Sequence, residues 1–166
     1  SASLDFTSGI DSTYGEYIFK FYNINPATDG AALNFQVNAS GETGYNESAI
    51  TTFFYARHDE ADVAGSNGPS YNTTYDMVGT GAIIISPAPS NASDASTVGE
   101  LSLYNPSSTT YVKHFIGTNT ALISGDMTYQ SYVAGYINTT AAIDEIQFSF
   151  AAGNFDGTIT MWGVKN

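Results

Sequence analysis

The chain has 166 residues, sixteen Asp and Glu against four Lys and Arg, a formal net charge of −12 and no cysteine. That length suits one domain, which buries about 70% of the surface its unfolded chain exposes. Nucleic-acid backbones and anionic membranes both need clustered Lys and Arg, so neither is an expected partner, and the lack of cysteine excludes disulfides, thiol nucleophiles and thiolate-bound zinc.

The longest purely aliphatic run, Ala82 to Ile85, falls far short of the roughly 20 residues that span a bilayer. The first residues, SASLDFTSG, carry neither the basic nor the apolar region of a secretory leader, so no membrane insertion and no signal segment are expected. A chain beginning at Ser1 fits removal of an initiator Met, cleavage of a longer precursor, or a fragment.

Taken in chain order, alternation with period two dominates. The first strand is expected over 15–22, where YIFKFY is apolar on both faces, followed by reversals at Asn25-Pro26 and Asp29-Gly30. Leu33, Phe35 and Val37 alternate with polar residues and predict a half-buried strand over 32–38. TFFYA, again apolar on both faces, lies in a strand over 49–57. Small and polar residues from Arg57 to Ser70 read as a loop, with one helical turn as an option at Asp59-Glu60-Ala61-Asp62.

A strand over 81–86 leads into SPAPS and the polar stretch to Ser96, expected as an exposed excursion whose prolines Pro87 and Pro89 flank the aggregation-prone Ile83–Ile85 window. Strands over 98–104 and 109–117 flank the Asn105-Pro106 turn, and further strands are expected over 127–137, 144–151 and 157–164. The strands that are apolar on both faces (YIFKFY, TFFYA, YVKHFI, TITMWGV) are expected to be central or covered on their second side. No stretch repeats apolar residues at helical spacing. Eight or nine strands in one domain over 1–166 predict an all-β, two-sheet antiparallel sandwich of jelly-roll type.

Catalytic chemistry finds little to use. His58 and His114 are the only histidines; His114 is read as a partly buried, hydrogen-bonded strand residue. Asp59, Glu60 and Asp62 sit beside His58 and could hold a hard cation, but the D-x-[DN]-x-[DN]-G pattern is absent, so a solvated acidic loop is expected. G-x-S-x-G is missing, as are the alternating acids of a glycan-cleaving groove. Tyr132 and Tyr136 share one strand face while Tyr129 points the other way, and Trp162 is expected to be packed rather than displayed. Sequons at Asn38, Asn46, Asn72, Asn91 and Asn138 carry little weight in a chain this rich in Asn, Ser and Thr. The expected contact residues are Asp59, Glu60, Asp62, Pro87, Pro89, Tyr132 and Tyr136, with no catalytic residue, metal or cofactor.

Three phrases carry a resemblance: LDFTSGIDSTYGEYIFKFYNINPATDGAALNFQVN from Leu4 to Asn38, LYNPSSTTYVKHFIG from Leu103 to Gly117, and NFDGTITMWGVKN from Asn154 to Asn166. They resemble virion structural proteins of marine tailed phages of the cyanophage type, on tail appendages or the head surface. The resemblance implies a β-sandwich virion component on the exterior of the head or tail. It implies contacts with copies of itself, a trimer being the expected number for a fibre or knob, with other virion proteins, and with a host-surface glycan where the domain meets the host. A carbohydrate-binding module is the rival from another class, and a sandwich hydrolase or lyase the third.

Overall fold

The computed structural model describes residues 1–63 and 67–165. Twelve strands form two antiparallel sheets, and no helix occurs among the described residues. The small sheet runs in the order β1 (Ser3–Phe6), β11 (Ile143–Phe150), β3 (Leu33–Ala39), β7 (Ile83–Ser86). The large sheet runs β12 (Phe155–Val164), β2 (Glu16–Pro26), β8 (Thr97–Tyr104), β9 (Lys113–Ile123), β10 (Met127–Ile137), β4 (Ala49–Asp59), β5 (Gly68–Tyr71), and β6 (Val78–Gly79) also pairs with β4. The chain passes between sheets at every connection except those within β4–β5–β6 and the β8–β9–β10 meander, which gives the jelly-roll sandwich.

The two sheets meet over an aromatic core. Phe148 of the small sheet lies 5.3 Å from the Phe19 ring and 5.4 Å from the Phe21 ring of β2, and Phe35 packs edge-on against Phe115 of β9 at 5.0 Å. These rings are almost completely buried, and such tilted and edge-on pairs add about 0.5–1.5 kcal/mol beyond area burial. Strict alternation sends Tyr17, Phe19 and Phe21 inward and Ile18, Lys20 and Tyr22 outward.

Nine of the twelve strands coincide with expected ones; β1, β5 and β6 are the additions. They are four, four and two residues long, too short to set up an alternating pattern. β5 converts the far end of the expected 57–70 loop into an edge strand that pairs with β4 through Phe54↔Tyr71 and Tyr55↔Ser70. The strand expected over 109–117 begins at Lys113 and continues to Ile123. Ser108 explains the late start, because its hydroxyl accepts the amides of Thr110 and Tyr111 at 3.2 and 3.1 Å and holds those residues in a turn. No helical turn forms at Asp59–Asp62; the chain makes a hydrogen-bonded turn there, with Asp62 at φ 50°.

Of the four strands apolar on both faces, β2, β9 and β4 are central in the large sheet as expected, whereas β12 is an edge strand, although TITMWGV is apolar on both faces. Across the large sheet, nothing among the described residues covers the outer face.

The uncovered face of the large sheet as candidate functional site

Outward parity brings Phe54 of β4, Ile116 of β9, Trp162 of β12 and Tyr22 of β2 to one surface, each between 46% and 57% exposed. Of the eleven exposed large hydrophobic residues, eight belong to this face: these four with Tyr71, Val78, Val98 and Val164. The other three, Leu4, Val63 and Tyr111, are scattered. Exposed apolar residues gathered on one side of a domain, here interleaved with Lys20, Glu100 and Thr118, point to a contact surface.

The patch has relief. Phe54 and Tyr132, register partners on β4 and β10, stack with centroids 4.5 Å apart and planes 7° apart, forming a ridge. Beside it lies an open groove of about 460 Å³, floored by Thr52, Ala134 and Ile116 and walled by Tyr104, His114 and Tyr136. His114 and Tyr136 are register partners with ring centroids 5.9 Å apart. The lining is almost wholly apolar.

Charge is also sorted. The outward residues of β4, β9 and β10 include no acid, in a chain of net charge −12. The acids that do face outward, Glu16, Glu100 and Asp156, lie on β2, β8 and β12, and Glu100 is 3.5 Å from Lys20. That exposed pair is worth little in stability, about 0–1 kcal/mol.

The expected contact residues divide. Tyr132 and Tyr136 share the outward face, both half-buried, and Tyr129 points inward at 5% exposure, where burial raises its hydroxyl pKa. Glu60 and Asp62 are exposed, and Asp62 lies 3.2 Å from His58. Asp59 is not a surface contact: it is 8% exposed and its carboxylate accepts the Val63 amide at 3.0 Å, closing the turn. Pro87 and Pro89 are buried, which corrects the expected excursion over its first part, while residues 91–94 are exposed. Pro89 bridges to Ile123, its carbonyl accepts the Gly30 amide at 3.1 Å, and the Ser90 amide reaches Leu122 O at 3.0 Å, so the segment is sewn onto β9 and the turn between β2 and β3.

His114 is exposed rather than partly buried, and the buried residue is its neighbour Lys113. The Lys113 ammonium donates to the carbonyls of Tyr111 and Thr139 at 2.8 and 3.1 Å, and burial lowers its pKa. Trp162, expected to be packed, is 57% exposed because β12 presents it outward, and its indole N–H donates to Thr160 Oγ1. The signal for this face is present in the sequence as strands apolar on both sides, but that pattern fits a central strand whether or not its outer face is covered, and β2, β4 and β9 are central with that face open.

A second, polar hollow lies at one end of the sandwich, lined by Ser12, Thr13, Tyr14, Asn105, Ser107 and Lys165. The Asn105 amide donates to Gly15 O and the Gly15 amide to Val164 O, which ties the ends of β8, β2 and β12 together. Among the described residues no group of three or more His, Asp or Glu is placed to hold a metal ion.

The fold and its face thus define an all-β sandwich with one uncovered apolar side. No family model matches the chain and no curated protein matches it. Among solved structures, a structural-genomics protein of unknown function from Bacteroides ovatus is similar at 8% identity and a TM-score of 0.23. The match covers 87% of this chain and 46% of that one, so the chain spans about half that protein's length.

Proposed function

We propose that the chain is a non-enzymatic structural component of a phage particle, on the exterior of the head or tail, which works by making protein–protein contacts through the outer face of its large sheet. The observation that carries this reading is the concentration of exposed apolar residues on that one face. A surface so built stabilises an assembly by excluding water. The resemblance supplies the virion. Its three phrases, distant in sequence, fall on strands that touch: β12 pairs with β2, β2 with β8, and β8 with β9. They also supply every residue lining the polar hollow, so the similar segments form one continuous structural block. Mass spectrometry of purified particles tests the reading, together with immunogold labelling by an antibody against this domain. Surface labelling is expected, and absence of the chain from particles would overturn it.

A second reading, a carbohydrate-binding sandwich, is favoured by Tyr104, His114 and Tyr136 along one wall of the groove, since rings with one wet edge suit sugar stacking. It predicts glycan-array binding that Tyr136→Ala removes.

A further inference from the structure

We propose that the outer face of the large sheet pairs with the same face of a second copy of this chain, about a two-fold axis. This rests on the reading of that face as a contact surface and names its partner.

Area is the first support. About a two-fold axis that sets ridge against groove, both on β4, β10 and β9, the strands that overlap are β8, β9, β10, β4 and β5. At about 4.8 Å between strands and about 3.3 Å per residue they present a face roughly 24 Å by 30 Å, or about 700 Å². Standard stable interfaces bury about 600–1,000 Å² from each partner.

Charge is the second. Two copies of a chain at net charge −12 repel, so a self-contact requires a region where like carboxylates do not meet. The half of the face formed by β4, β9 and β10 is such a region, because none of its outward residues is acidic.

Shape is the third. A two-fold contact places one patch against itself, so a protrusion must face a depression of the same patch. The stacked Phe54–Tyr132 ridge and the groove over Thr52 and Ala134 stand side by side, and in a two-fold pair each ridge enters the other copy's groove.

The lining decides between a protein and a sugar. A glycan brings hydroxyl groups that must find hydrogen-bond partners when water leaves, and the groove is almost wholly apolar. Aromatic and aliphatic side chains of another copy suit it better.

Sedimentation equilibrium of the purified chain at about 50 µM tests the pairing, a concentration at which a micromolar dimer is populated. The wild type is expected at twice 17.6 kDa. Ile116→Glu puts an unpaired carboxylate in the middle of each face and is expected to weaken association by about 100-fold or more. Ile116 is 52% exposed, so the fold tolerates the change, and Thr118→Lys on the same face gives an independent variant. Tyr111→Glu alters a more exposed apolar residue off the face, 72% exposed, and is expected to leave the dimer intact. A wild-type monomer or trimer, or dimers that persist in both face variants, would overturn the proposal. So would a monomer whose Trp162 fluorescence responds to a glycan. Failure here leaves the virion reading standing, because that reading is decided on particles.

Discussion

Phe54 and Tyr132 stack almost parallel across β4 and β10, 4.5 Å between centroids, on a surface that leaves Phe54 47% exposed. Exposed cross-strand aromatic pairs stabilise a sheet without any burial from above. A double-mutant cycle with Phe54→Ala and Tyr132→Ala is expected to give a coupling of about 0.5–1.5 kcal/mol by urea unfolding. Additive losses would show that the rings do not interact in solution.

Alkaline pH should expose a second relationship. Tyr45 is pushed up to about 12 by burial first and then by the nearby carboxylates of Glu145 and Asp5, from an ordinary value of 10.0. Its phenol stays protonated in the folded state at pH values where the unfolded chain has lost that proton. The stabilising contribution is therefore complete below about pH 10 and is lost as the pH rises toward 12. Tyr45→Phe is expected to move the alkaline unfolding midpoint upward, read by circular dichroism, and to remove one late-rising component of the phenolate absorbance.

Asp59 and Glu60 are neighbours with opposite fates. Asp59→Ala removes the acceptor of the Val63 amide in a buried turn and is expected to cost about 1–2 kcal/mol. Glu60→Ala, at an exposed position, is expected to stay within about 0.5 kcal/mol of the wild type. Equal losses in chemical denaturation would contradict the burial of Asp59.

Ser131 is fully buried on β10, beside its register partner Asn119, and its hydroxyl has no hydrogen-bond partner among the described residues. An unsatisfied buried hydroxyl carries a desolvation cost with no return. Ser131→Ala is therefore expected to be neutral or to stabilise by up to about 1 kcal/mol, measured as a rise in the denaturation midpoint at constant slope.

Much of the fold was legible because alternation is a local property. The strand expected over 127–137 has those bounds in the structure, and Tyr132 and Tyr136 take the face that parity assigned them. The short strands β1, β5 and β6 were not legible, since they owe their existence to partners far along the chain. Pro87 and Pro89 misled because proline-rich composition describes the unfolded segment well; its docking depends on Gly30 and Ile123, which lie elsewhere in the sequence.

By itself the sequence determined an all-β sandwich that has no cysteine and few cations and turns its apolar residues to alternate sides. Each of these follows from composition or from the two-residue period of a strand. Which of two apolar sides is covered is a different kind of fact, because cover comes from the other sheet. The core between the sheets hides Phe19, Phe21, Phe53 and Phe115 of the large sheet, while Phe54, Ile116 and Trp162, equally apolar, are left facing out. Only the tertiary structure decided that, since the small sheet can pack against one face of the large sheet and leaves the other open to water.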